Sequence, residues 1–143
     1  MTNSISQLGS GTFDGAKFEH GVRSYCSVVW CDSDVMPGVR FAVARMSFGR
    51  RIELARRMRE IGRKIEFFEA GSDARDKLEA AALGAEIDRE YLAWGLVAVD
   101  GLQIDGMDAL PETVIEKGPA ELSSEMLDRI KRECALSEAE RKN

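Results

Sequence analysis

Residues 47–71 read SFGRRIELARRMREIGRKIEFFEAG, and this stretch decides the fold. Within it Leu54, Met58, Ile61, Ile65 and Phe68 recur at spacings of four, three, four and three, which predicts one apolar stripe along an α-helix. Ser47 is placed to cap that helix, because its hydroxyl can accept from a first-turn amide that has no partner inside the helix. Gly71 ends it. A second helix is expected from Ser72, with Asp73 and Asp76 in a first turn where carboxylates complement the helix dipole. Leu83, Ile87, Tyr91 and Trp94 form its apolar face, thickened by alanines at 80–82. So short a connection as Gly71-Ser72 folds the two into an antiparallel helical hairpin.

Toward the C-terminus, Val97–Val99 and Leu102–Ile104 flank Asp100-Gly101, a two-residue turn signal for a short β-hairpin. Asp105-Gly106 marks another turn. Pro111 and Pro119 suit the first positions of short helices, and the last helix carries Leu122, Met126, Ile130 and Cys134 on one face. Ser137-x-x-Glu140 has the pattern of a capping box, but only three residues follow, so a helix beginning there would fray.

Toward the N-terminus, Val39–Met46 alternates Val39, Phe41 and Val43 against Arg40, Ala42 and Ala44, as a strand does. Arg23–Cys31 contains the strand formers Tyr25, Val28, Val29 and Trp30, and Asp32-Ser33-Asp34 with Pro37-Gly38 reads as the loop between. These two segments predict a two-stranded ribbon that needs further packing. Residues 1–21, punctuated by Gly9, Gly11, Gly15 and Gly21, read as a flexible Gly/Ser-rich arm. The expected fold class is therefore mainly α: a helical hairpin plus C-terminal helices, with a small N-terminal β element and a short β-hairpin. Residues 22–143 are expected to form a single mainly helical domain.

The chain has 143 residues, 44% of them apolar and 31% charged, a globular composition. No apolar run approaches the roughly 18–20 residues of a membrane span, and Met1-Thr2-Asn3-Ser4 lacks the basic and apolar regions of a signal peptide. A cytoplasmic protein with reduced thiols at Cys26, Cys31 and Cys134 is the expectation. Nothing supplies a catalytic constellation. His20 is the single histidine and has no nucleophile at suggestive spacing. Cys26 and Cys31 lack zinc-knuckle spacing and a second pair. Asp105-Gly106 with Glu112 fits a calcium loop only if Gly101 and Gln103 stood in for carboxylates. Gly9-Ser10-Gly11-Thr12 lacks the following lysine of a phosphate cradle. No enzyme activity, cofactor or metal is expected.

The distribution of charge is the sharpest signal. Residues 40–64 hold nine Lys/Arg against two acids, a net of +7, whereas residues 65–143 hold nineteen acids against nine bases, a net of −10. Arg56, Arg59 and Arg63 share one helix face; Arg50, Arg57 and Lys64 share another. Such a helix can pair with the chain's own acids, capture an acidic partner or contact nucleic acid. The overall pI near 5.0 and the lack of interleaved aromatics argue against nucleic acid. Leu54/Met58/Ile61 and Leu83/Ile87/Tyr91 are candidate walls of an apolar groove for a partner helix, and Tyr91 and Trp94 are either core or interface anchors.

From about residue 39 onward the chain resembles the small tail assembly chaperones of long-tailed bacteriophages and prophages. The residues that carry the resemblance are Ser47-Phe48-Gly49-Arg50-Arg51-Ile52-Glu53, then Glu86-Ile87-Asp88-Arg89 leading to Trp94-Gly95, then Asp105-Gly106, Gly118-Pro119-x-x-Leu122 and the ending Leu136-Ser137-Glu138-x-Glu140-Arg141-Lys142-Asn143. They span about three quarters of the chain, and they are packing and capping residues. The resemblance implies a non-enzymatic protein of the host bacterial cytoplasm that binds the helical tape measure protein and helps recruit tail tube protein, with homo-oligomers possible. It also implies that a frameshifted longer form can exist. The alternatives are a small virion structural protein, such as a tail or neck adaptor, and a nucleic-acid-binding regulator acting through residues 40–64.

Overall fold

The computed structural model describes residues 16–19 and 21–142, with side chains placed from Gly21 to Ala135. It is mainly helical with small antiparallel β elements. A ribbon of β1 (Ala16–Glu19) and β2 (Val22–Tyr25) leads into β3 (Val28–Asp32) and β4 (Arg40–Ala44). The helices α1 (Phe48–Glu69) and α2 (Ala74–Gly95) follow, then β5 (Leu96–Asp100) and the pair β6 (Gln103–Ile104) and β7 (Met107–Asp108). The chain closes with α3 (Pro111–Lys117) and α4 (Ala120–Lys142).

β3 and β4 pair antiparallel as the sequence predicts, with Val28 opposite Ala44 and Trp30 opposite Ala42. The further packing that such a ribbon needs comes from β5, which lies on the other side of β4 to give the order β3-β4-β5. The hairpin of α1 and α2 is thus an insertion between two neighbouring strands. This differs from the expected pairing of Val97–Val99 with Leu102–Ile104 around Asp100-Gly101. A tight hairpin of the favoured kind needs positive φ at both central residues. Only Gly101 has it there, whereas Asp105 (φ 53°) and Gly106 (φ 82°) both do, so the short hairpin forms one turn later as β6–β7. Leu96 and its neighbours are then free to complete the sheet.

The core lies between one face of the sheet and the helices. Phe41 and Val43 from β4 meet Leu92 and Trp94 of α2, Val114 of α3, and Leu122, Met126 and Ile130 of α4. Of the stripe foreseen on the last helix, Cys134 is half-buried, and Leu122, Met126 and Ile130 are 0% exposed. Each such side chain stabilises the fold by about 1.5–3 kcal/mol relative to exposure. Gly95 allows this packing: a Cβ there would lie 2.6 Å from the Ile130 Cγ2 atom. α4 continues unbroken through Ser137 to Lys142, so no separate helix begins at the capping-box pattern.

The loop between β3 and β4 is pinned to α4 by one carboxylate. Glu125 accepts from the buried Ser33 hydroxyl at 2.5 Å and from the Asp34 amide at 2.6 Å, and Ser33 Oγ accepts from the Met36 amide. Within the expected flexible arm of residues 1–21, residues 16–19 pair with β2, and residues 1–15 and 20 lie outside the described residues.

Candidate protein-docking surface

Ser47 caps α1 as its position predicts, accepting from the Arg50 amide at 3.1 Å. Asp73 caps α2 by accepting from the Asp76 amide, which sets that helix one residue later than a start at Ser72. The two helices run antiparallel, and their apolar stripes meet in the seam between them. Leu83 is buried there, while Leu54, Met58, Ile61, Ile87 and Tyr91 are half-buried. The two expected groove walls therefore face one another, which leaves no open trough for a third helix between them. Trp94 is 2% exposed and belongs to the core. Its indole Nε1 donates to the Arg50 carbonyl oxygen at 3.2 Å, and the Arg50 guanidinium lies over its ring at 4.6 Å while donating to the Trp94 carbonyl oxygen. It anchors the root of the hairpin, not a partner. Tyr91 has its ring beneath Lys131 Nζ at 5.5 Å, and that lysine pairs with Asp88 at 3.1 Å.

The two basic faces of α1 have different fates. Arg50 pairs with Glu53, and Arg57 with both Glu53 (3.3 Å) and Glu90 of α2 (2.9 Å). On that face Arg50 and Arg57 are thus met by the chain's own acids, while Lys64 is exposed. Arg56, Arg59 and Arg63 point to solvent, and among the described residues no carboxylate reaches them. Not one residue of the 22 in α1 is buried.

A second stripe emerges on that outward side. At 100° per residue, Phe48, Ile52, Arg56, Arg59, Arg63 and Phe67 fall within a band of about 100° opposite the seam. Phe48 is 82% exposed, Ile52 41% and Phe67 73%. The band thus carries three unpaired guanidiniums bracketed by two aromatic rings, along about 28 Å of helix at 1.5 Å per residue. Sequence reasoning found the three arginines but not the rings. Their spacing was visible in the sequence, but the inner stripe at Leu54–Phe68 dominates the apolar periodicity. Exposed aromatics and arginines together are the residues that carry binding energy at protein interfaces. Chemically the band offers charge-assisted, bidentate hydrogen bonds to carboxylates, with apolar contact at either end.

The face of the sheet opposite Phe41 and Val43 is also apolar, and Ala42 is buried on it at 1% exposure. Trp30, Ala42 and Ala98 form a row across it, with Trp30 45% exposed and Arg40 stacked 5.2 Å from its ring. The thiols are set apart from any of this. Cys26 is exposed, whereas burial pushes the Cys31 and Cys134 thiols above their ordinary range. Among the described residues no cluster of His, Cys, Asp and Glu could hold a metal ion, and no helix is long and apolar enough to cross a membrane.

Comparison of the chain with protein-family models, with curated proteins and with solved structures finds no match.

Proposed function

We propose that this protein is a non-enzymatic tail assembly chaperone of a long-tailed bacteriophage or prophage, which binds its tape measure protein through the outward band of α1 and helps recruit tail tube protein. One observation carries the docking part of this reading: Arg56, Arg59 and Arg63 face solvent without ion pairs, between exposed Phe48 and Phe67. On the other face of the helix, by contrast, Arg57 is turned toward Glu90. The partner that fits is a long amphipathic helix with acidic residues along one side and apolar residues near them. Covering Phe48 and Phe67 would contribute about 1.5–3 kcal/mol each, and the arginines would set orientation and raise the association rate. The assembly role itself is supported by the sequence resemblance described above.

The test is capture from phage-infected or prophage-induced cells with the tagged chain, read by mass spectrometry, beside the R56E/R59E/R63E variant. Recovery of a very long helical tape measure-like protein by the wild type and its loss with the variant, with the chain absent from purified particles, is the expected outcome. Finding the chain inside the particle would make it a virion adaptor instead. Recovery of nucleic acid with steep salt dependence would make it a regulator.

A further inference from the structure

β3 (Val28–Asp32) is an edge of the three-stranded sheet: β4 lies on one side of it and, among the described residues, no strand on the other. The register fixes which backbone groups are left over. In an antiparallel pair, opposed residues alternate between those that exchange both hydrogen bonds and those that exchange none. The Arg45 amide donates to the Ser27 carbonyl oxygen at 2.9 Å, and the Ser33 amide to that of Val39 at 2.9 Å. Ser27 and Ser33 therefore turn their backbone groups toward β4, and so, at every second residue between them, do Val29 and Cys31. The N–H and C=O groups of Val28, Trp30 and Asp32 point the other way, and among the described residues no backbone group meets them. Such a row is a template for another strand, and sheet edges are commonly blunted by lysine, proline or a bulge. β3 reads VVWCD, without any of these, and its register with β4 is regular. Both faces of the edge are apolar. Trp30 is 45% exposed on one, while Val29 and Cys31 lie half-buried at the margin of the core on the other. A strand that pairs there must be apolar on both faces, which is the character of β3 itself.

We propose that β3 is the two-fold edge of a homodimer, pairing antiparallel with β3 of a second copy about Trp30 and joining the two sheets into one. A two-fold contact must be self-complementary, and this one is. Trp30 exchanges both hydrogen bonds with its counterpart, and Val28 exchanges them with Asp32 of the partner subunit, so the whole strand is used. Charge selects this arrangement over the others. The Asp32 side chain is 85% exposed. Parallel pairing in register, or an antiparallel register centred on Asp32, would set that carboxylate beside its counterpart. Centring on Trp30 instead holds the two carboxylates about 13 Å apart along the strands, four residues at 3.3 Å each, beyond the screening length of about 8 Å at physiological salt. The Trp30 rings then meet across the two-fold, and the row Ala98–Ala42–Trp30 continues into the second copy. No residue of the outward band of α1 takes part, so the dimer stands apart from the docking reading.

The experiment follows the full chain by sedimentation equilibrium and by amide hydrogen exchange from about 10 µM to about 1 mM, the range in which a small edge contact associates. The mass should double across it. The amides of Val28, Trp30 and Asp32 should exchange about tenfold more slowly at the highest concentration, and those of Val29 and Cys31, already bonded to β4, should change far less. Val28→Pro removes one outward N–H and leaves the bonds between β3 and β4 in place. It should weaken association about tenfold or more without altering the circular dichroism. R56E/R59E/R63E should leave the dimer constant within about twofold, so failure of the docking reading registers separately, in the capture experiment. A chain that stays monomeric to about 1 mM overturns the proposal, and protection of the three amides in that monomer would assign the edge to the chain's own residues 1–15. Association abolished by R56E/R59E/R63E but untouched by Val28→Pro would place the contact on α1 and overturn it equally. The concentration series uses only the native chain, so it decides the matter even if Val28→Pro fails to fold.

Discussion

Gly95 joins α2 to β5 with no intervening loop, and its missing side chain is the reason α2 and α4 can close upon each other. Gly95→Ala would place a methyl 2.6 Å from Ile130 Cγ2 and 2.9 Å from its Cγ1, on a side chain that is 0% exposed. The expected cost is about 1–3 kcal/mol of overpacking, read as a fall in the urea midpoint. An unchanged midpoint would mean that α2 and α4 do not pack closely at Gly95. The thiols make a second statement at this scale. Cys26 should react with a thiol reagent at pH 8 well before Cys31 and Cys134, because burial holds the latter two in the neutral form. Their folded pKa values lie above the ordinary 9.0. Below pH 9 both folded and unfolded thiols are neutral, so this contribution to stability is fully present; as the pH rises past 9 the unfolded chain ionises first and the contribution is lost. Denaturant melts at pH 8 and pH 10 should show a smaller loss in a C31A/C134A chain than in the wild type.

At the scale of elements, α1 is one helix with one packed and one exposed side. Its inner stripe and the Arg57–Glu90 pair hold it against α2, and its outer band is free. Charge reversal of Arg56, Arg59 and Arg63 should leave helicity and melting temperature nearly unchanged, since exposed residues without partners contribute little to folding. Arg57→Glu should instead destabilise by about 1 kcal/mol, because it removes a half-exposed pair and places like charges beside Glu53 and Glu90. If circular dichroism shows the triple reversal to be the more damaging change, the outer band is structural and the docking reading falls. The element also explains the failed hairpin expectation at 97–104. Asp100-Gly101 looks like a hairpin turn on local residues, but β5 gains more by pairing with β4, where Leu96 and Val99 reach the core.

For the whole molecule, stability should be graded. β4, the C-terminal half of α2 and α4 share the buried cluster, while the distal part of the α1–α2 hairpin is held by one seam with half-exposed members. Hydrogen exchange should therefore show the strongest protection at Phe41, Val43, Met126 and Ile130 and clearly weaker protection between residues 60 and 80. Uniform protection across both regions would show the hairpin to be cooperative with the core. Salt should weaken any binding of an acidic partner to the basic face that this arm projects.

The sequence by itself determined the local structure of this protein: a helix capped at Ser47, its short reversal into a second helix, the strand alternation at 39–46, and the buried stripe at Leu122, Met126 and Ile130. These follow from periodicity and capping, which are properties of neighbours within a few residues. The tertiary structure alone decided what each face meets. It placed β5 beside β4 across an inserted helical hairpin, closed the expected groove by packing its walls together and sank Trp94 into the core. It also left Arg56, Arg59 and Arg63 exposed to solvent while pairing Arg40, Arg50 and Arg57 with the chain's own acids. Such outcomes depend on contacts between segments far apart in the chain, where burial and charge are settled by which surfaces arrive opposite one another.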